Sequence, residues 1–348
     1  MSDARGADPA AVWRAGRDGC VLVDLSGRGR LTMTGGDRSR LLHRISTNDI
    51  ESLTPGTGTA TLLATPKGRL IDRLVVLCLP DEFLVITSTG TAALAAGRIG
   101  KYVVIEDVSV VDRTASTFQL GLYGPRAPEV LERAGCAGMA GRPLFAHVEQ
   151  RLAGHHVRVT TEPGLAGRAC VVIGEPSGRE EVLDHLLAGG AAGETIQATP
   201  ESFEPLRILA GLPSPGHELT DAYNPLELRQ EDAVSFDKGC YVGQEVIARL
   251  RTYDKVRRRL ICLEVEGEAP VPVDIGIQAP GMEGTITSAA PVPGEHRTVA
   301  LAVVSGDPQV GQELAAVAGT ERRRAWMRGE PVTARDVRRD PPRRRTGS

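Results

Sequence analysis

The sequence predicts an α+β fold that ends in a small β-barrel, and three observations carry that reading. Strand-like runs alternate with amphipathic helices between Cys20 and Tyr102. A second series, strand, helix, two strands and helix, runs from Phe118 to Ala188, the order expected when helices pack on one face of an antiparallel sheet. From Arg257 onward the helical pattern gives way to short apolar runs separated by Gly and Pro, the signature of a barrel.

Taken in order, Cys20 to Leu25 and Leu31 to Thr34 read as a hairpin about the Gly27-Arg28-Gly29 turn. Gly36-Asp37 can cap the next helix, whose Leu41, Leu42 and Ile45 share one face, and Thr47-Asn48-Asp49 ends it through side chains that bond local backbone. Gly58 to Ala64, Leu70 to Leu79 and Phe83 to Thr87 are strand-like, and an Ala-rich helix follows from about Thr91 to Tyr102. In the middle, Phe118 to Leu122 is a strand and Pro128 to Ala134 a short helix. Val157 and Val159 start a hairpin with Ala169 to Ile173, and Arg179 to Ala188 is an amphipathic helix stopped by Gly189-Gly190. Glu204 to Ile208 begins a helix that Gly211 to Gly216 breaks, and a long irregular run to Leu228 leads into a loop. Arg257 to Glu266 opens the barrel with Ile261, Leu263 and Val265 on one face, and Thr285 to Thr287, Thr298 to Val304 and Gly311 to Glu313 continue it.

The 348 residues allow two or three domains, and 41% apolar content is enough for ordinary cores. Aromatic residues make up only 3%, so the cores are aliphatic and stacking platforms for single-stranded nucleic acid are not expected. The net charge of −3 is uneven: Thr320 to Ser348 holds ten Arg and four acidic residues, +6, which leaves −9 for the body. An acidic body is a poor partner for phosphate backbones, and the tail reads as a solvated, flexible end. The six cysteines lack Cys-x-x-Cys spacing, and His147, His155 and His156 lack companions at ligand spacing, so no metal site is expected. Met1 to Ala10 has no apolar stretch long enough for a signal peptide or membrane helix, which points to a cytoplasmic protein.

Two stretches carry chemistry. In Lys238-Gly239-Cys240-Tyr241-Val242-Gly243-Gln244-Glu245, two glycines flank Cys240 and Tyr241, and good helix formers run from Gln244 to Leu250. A thiol near a helix start with Lys238 beside it favours the thiolate, while the alternative is an inert thiol packing a helix onto a sheet. In Thr65-Pro66-Lys67-Gly68-Arg69-Leu70-Ile71-Asp72, Lys67 and Arg69 on a glycine turn can hold an anionic ligand tail, and Asp72 interrupts an apolar strand. An ordinary charged turn is the alternative there.

The first stretch resembles the Lys-Gly-Cys-Tyr-x-Gly-Gln-Glu motif of the YgfZ-type folate-binding proteins, relatives of the glycine-cleavage T-protein, and all seven fixed positions are filled. Gly36-Asp37, Thr47-Asn48-Asp49 and Pro66-Lys67-Gly68-Arg69 are similar in order and spacing to the N-terminal pattern of the same superfamily. The resemblance implies three domains in a ring: residues 20–105 with 200–255, residues 106–199 interleaved with them, and a barrel at 256–320 before a basic tail at 321–348. It implies a tetrahydrofolate-like ligand held by Asn48, Lys67, Gly68, Arg69, Arg207, Tyr241, Gly243, Gln244, Glu245 and Arg249. Cys240 is then the reactive centre, with Lys238 tuning it. The role implied is support of iron-sulfur protein assembly or repair, with iron-sulfur client proteins as partners, tRNA-modifying enzymes among them. Folate-dependent aminomethyl transfer or demethylation is the other reading, with Asp72 as acid/base. Against it, Asp72-Arg73 stands where the T-protein pattern has two acidic residues, and Leu209 stands where it has Glu.

Overall fold

A computed structural model describes residues 7–331 apart from 140, 166, 190–194, 254, 269, 270 and 272. The chain opens with α1 (Pro9–Asp18), where Asp8 accepts from the Ala10 N–H at 3.2 Å and Pro9 sits where a missing N–H costs nothing. There follow β1 (Cys20–Asp24), β2 (Arg28–Thr34), α2 (Arg38–Ile45), β3 (Gly58–Ala64), β4 (Leu70–Cys78), β5 (Phe83–Thr89), α3 (Ala92–Gly100) and β6 (Ser109–Asp112).

The hairpin expected about Gly27-Arg28-Gly29 does not form, because β1 and β2 enter different sheets. The reason lies in their burial: Cys20 to Val23 are buried on both faces, so β1 is a central strand, whereas β2 buries alternate residues such as Leu31 and Met33. Arg30, fully buried, fixes the crossing. Its Nη2 donates to the carbonyls of Ser26 (3.1 Å), Thr114 (2.6 Å) and Thr117 (3.2 Å), and its Nε to Thr117 Oγ1 (2.6 Å).

The chain continues with β7 (Phe118–Tyr123), α4 (Ala127–Arg133), β8 (His147–Leu152), β9 (His155–Gly164), β10 (Gly167–Gly174), α5 (Arg179–Ala188) and β11 (Thr195–Ala198). With β1 these strands form a six-stranded sheet in the order β11-β1-β7-β10-β9-β8, antiparallel except for the β1–β11 pair. The other sheet has five antiparallel strands in the order β3-β4-β5-β2-β6. Asp37, expected to cap α2, instead accepts from the Asp107 N–H at 3.0 Å and ties down the approach to β6.

Next comes α6 (Pro200–Leu209), which starts earlier than its apolar pattern suggests. Thr199 and Ser202 form a reciprocal capping box, with Ser in the place usually taken by Glu or Gln. After α7 (Gln244–Thr252) come β12 (Arg258–Glu266), β13 (Gly276–Ala279), β14 (Met282–Pro291), β15 (Arg297–Ser305), β16 (Glu313–Ala318) and β17 (Glu321–Gly329), which close into a barrel. The first nine residues of the expected basic tail are therefore β17, which pairs with β12 and β16 and removes the free edge. Alternation outweighs charge here: Ala325 and Met327 point into the barrel, while Arg324 meets Glu266 and Arg328 meets Glu264. Residues 332–348 of that tail lie outside the described residues.

The two sheets face each other through Val21, Val23, Val171 and Ile173 on one side and Leu62, Val75, Leu77 and Ile86 on the other. Leu206 and Ile208 of α6 and Val299, Leu301 and Val303 of β15 join the same core, so the barrel shares it. A second core includes Val130 and Leu131 of α4 and Val182, Leu183 and Leu186 of α5, and a third includes Leu41, Leu42 and Ile45 of α2 and Ala95 and Ile99 of α3.

Candidate thiol and ligand site

The two stretches singled out from the sequence meet. Thr65 accepts from the Gly68 N–H at 2.9 Å and its own N–H donates to Arg69 at 2.8 Å, closing a tight turn in which Gly68 has φ +66°. Gly243, with φ +85°, lies against this turn: a Cβ built there would be 2.7 Å from the Thr65 carbonyl oxygen. One built on Gly68 would be 3.1 Å from Val246. Two glycines thus let a turn and the start of α7 touch through backbone.

Lys238 anchors the other end of the loop. Its ammonium donates to the carbonyls of His43, Ser46 (2.7 Å) and Asn48 (2.8 Å), at and just beyond the C-terminal end of α2, where a cation is favoured. Burial pushes the Lys238 amine down to about 8, with Asp49 and Glu51 acting the other way. All three ammonium donors are committed to carbonyls, so the expected role of Lys238 as the partner of the Cys240 thiolate is not what its bonds show; they clamp the loop. The Lys238 Nζ also lies 5.0 Å from the centre of the Tyr241 ring. Tyr241 is buried, its hydroxyl has no hydrogen-bond partner, and burial pushes that hydroxyl up to about 12.

Between these anchors Cys240 is exposed, while the other five cysteines are buried. Burial pushes Cys20, Cys170 and Cys262 up to about 12 and Cys136 to about 11, and it raises Cys78 as well, so those thiols stay protonated and inert.

The remaining predicted residues fall into three places. Lys67 and Arg69 line a cleft of about 440 Å³ along α7 and the start of the barrel, which neither Cys240 nor Asp72 lines. Gln244 and Glu245 start α7, and exposed Glu245 pairs along the helix with Arg249 at 3.9 Å. Asn48 and Arg207 are engaged within the fold. The Asn48 amide donates to Thr59 Oγ1 (3.0 Å) and the carbonyls of Ala60 (2.8 Å) and Asp232 (3.3 Å). Arg207 bonds Glu204 and Ser288 and approaches Glu218 at 3.5 Å.

Asp72 is fully buried and alternates with Leu74 and Val76 onto the face covered by α2 and α3. It accepts from Thr91 Oγ1 (2.6 Å), the Arg73 N–H (2.8 Å) and the Ser88 N–H (3.3 Å), yet burial outweighs these bonds and raises its pKa. The charged form is therefore the costly one. Below the ordinary value of 3.8 the carboxyl is neutral folded and unfolded, and the cost develops as pH rises through the raised folded value. Asp72→Asn is accordingly expected to raise stability at pH 7, and the gain should vanish as urea titrations are repeated towards pH 4; a loss at pH 7 would show that the three donors outweigh burial.

Sequence reasoning missed the charged residues that face the shared core. Arg73 alternates with Val75 and Leu77 onto that face, reaches Asp232 at 3.4 Å, and leaves Nη1 without a hydrogen-bond partner. Arg28 of β2 donates to both carboxylate oxygens of Glu162 on β9, at 3.0 and 3.1 Å, bridging the sheets. The signal available for Arg73 was an Arg in an apolar strand, noted in the sequence only as a departure from the T-protein pattern; that either residue faces the shared core follows from the pairing of the sheets.

These features define a class: an α+β protein in which two sheets and a closed barrel share one core. A solved structure of this fold is the glycine cleavage system aminomethyltransferase T from Bartonella henselae, with TM-score 0.77 over 94% of this chain and 90% of that one at 19% identity. The chain belongs to the GCVT N-terminal domain family, whose model matches residues 9–238, ending two residues before Cys240. A putative chloroplastic transferase of Arabidopsis thaliana is 33% identical over 249 residues, 71% of this chain and 57% of that protein's length. An aminomethyltransferase of Herpetosiphon aurantiacus is 28% identical over 318 residues, covering 87% of this chain and 84% of the relative.

Proposed function

We propose that this chain is a YgfZ-type folate-binding accessory protein that supports the assembly or repair of iron-sulfur proteins, tRNA-modifying enzymes among them, through Cys240. The observation that carries the reading is a single exposed thiol on a loop clamped at both ends, by Lys238 on three carbonyls and by Gly243 on the Thr65–Arg69 turn. Such a thiol is accessible to a partner protein while its position is fixed.

Family membership supports a tetrahydrofolate-like ligand, and residues of the chain fit one. Lys67 and Arg69 offer cations to its anionic tail. Leu209 cannot accept the N–H donors of a pterin, but fully buried Gln119 has both amide atoms without hydrogen-bond partners and offers a donor and an acceptor for a heterocycle edge. Such a ligand would supply a one-carbon carrier; the chain's own part is to hold it. No helix among the described residues is long and apolar enough to cross a membrane. The proposed partners are iron-sulfur clients, without stable nucleic-acid binding by the acidic body, and the proposed location is cytoplasmic.

The second reading, aminomethyl transfer with Asp72 as acid/base, is favoured by the names of the relatives. Against it, Arg73 brings a cation to the core-facing position where the T-protein pattern has an acid, and Asp72 faces the helices instead. In cells lacking the protein, Cys240→Ala is expected to accumulate folded and to leave iron-sulfur enzyme activity unrestored; restoration to the wild-type level would overturn the proposal. Purified protein given tetrahydrofolate and an aminomethyl donor should show no turnover, and turnover abolished by Asp72→Asn would establish the transferase instead.

A further inference from the structure

The cleft beside α7 carries more positive charge than the fold uses. Lys67, Arg69, Lys255, Arg257 and Arg258 line it against two carboxylates, Glu227 and Glu283, a balance of 5 − 2 = +3. Glu227 is spent on the wall itself: Arg258 donates to both its oxygens at 2.8 and 3.2 Å, and Arg69 stands 3.9 Å away. Lys67, Lys255 and Arg257 are exposed and form no ion pair among the described residues. Val246 and Leu250, one turn apart on α7, add an apolar strip to the same cleft. Cations converging on a concavity repel one another and focus a field that draws in anions.

We propose that this cleft binds a small oligoanion with at least three negative charges, which meet Lys67, Lys255 and Arg257, while Val246 and Leu250 take any apolar spacer between those charges. Two chemistries carry that charge, an oligo-γ-glutamyl chain, whose methylenes supply such a spacer, and an oligophosphate, which meets the cations without one. The glutamyl source rests on the folate reading above; the oligophosphate source does not. Cys240 does not line this cleft, which adds Lys255, Arg257 and Arg258 to the two cations legible in the sequence.

Calorimetric titration of the full chain with tri-γ-glutamate, inorganic tripolyphosphate and free glutamate tests this. One equivalent of at least one oligoanion should bind, with affinity falling steeply as salt is raised, and free glutamate should bind far more weakly. The exposed pair Lys255→Glu and Arg257→Glu should weaken binding at least tenfold, as should Lys67→Glu separately, whereas Lys101→Glu, on an exposed lysine after α3, should not. Tri-γ-glutamate alone binding assigns the glutamyl source, and tripolyphosphate alone assigns the phosphate source. Binding of neither, or equal weakening by Lys101→Glu, overturns the site. Monoglutamyl tetrahydrofolate separates the two proposals: its binding without either oligoanion would leave the folate reading standing and the cleft proposal refuted.

Discussion

Glu218→Ala is expected to cost ~3–5 kcal/mol of stability, the range for removing one partner of a buried charge network. Glu218 has no solvent exposure and accepts from the Ser214 N–H (3.0 Å), Thr287 Oγ1 (2.6 Å) and Ser288 Oγ (2.7 Å), with Arg207 at 3.5 Å. Thr287 and Ser288 belong to β14, so this carboxylate joins α6 and the irregular run after it to the barrel. Removing it strands the Ser288 hydroxyl, one backbone N–H and part of a guanidinium charge away from water, while Thr287 Oγ1 keeps only the Leu301 carbonyl at 3.2 Å. Glu218→Gln keeps an acceptor and should cost roughly a third to a half as much, since neutral hydrogen bonds are about half as strong as charge-assisted ones. Urea unfolding followed by the fluorescence of Trp13 and Trp326 reads both; an alanine cost below about 1 kcal/mol would show the network to be replaceable by water.

Gly243→Ala should cost ~2–4 kcal/mol, combining a left-handed backbone angle that side chains resist with an overpacked contact. The added carbon meets the Thr65 carbonyl at 2.7 Å, which is backbone and cannot swing aside. Because this contact positions the loop, the substitution should also change the rate at which iodoacetamide alkylates Cys240 in the folded protein. Gly239→Ala is the control, since a carbon there meets nothing within 4 Å. Equal effects of the two substitutions on stability and alkylation would mean that the contact between the turns does not hold the loop.

Much of this architecture was legible in local pattern. Ile261, Leu263 and Val265 alternate in sequence and line the barrel interior; Val182, Leu183 and Leu186 mark the buried side of α5. Both candidate stretches stood out because glycines beside charged residues have few uses inside regular elements. That Thr65 touches Gly243 was not legible, since the contact joins segments far apart in the chain. The same limit explains the failed hairpin: Cys20 to Val23 pair with β7 and β11, and no short-range signal competes with an apparent turn. Composition misled at β17, where arginines suggested solvent although Ala325 and Met327 kept strand alternation. For Lys238, proximity in sequence suggested the thiol, while the folded chain offered open carbonyls at and just beyond the end of α2.

The placement of β1 has a consequence for synthesis. All five strands of one sheet lie between Arg28 and Asp112, so that sheet can assemble as soon as this stretch leaves the ribosome. The segment before it cannot. Cys20 to Asp24 emerges before that sheet, yet its flanking strands end at Tyr123 and Ala198. An apolar ribbon made before both of its neighbours stays unpaired on both edges until Tyr123 has been made and on one edge until Ala198 has, which marks it as the natural place for a chaperone to hold.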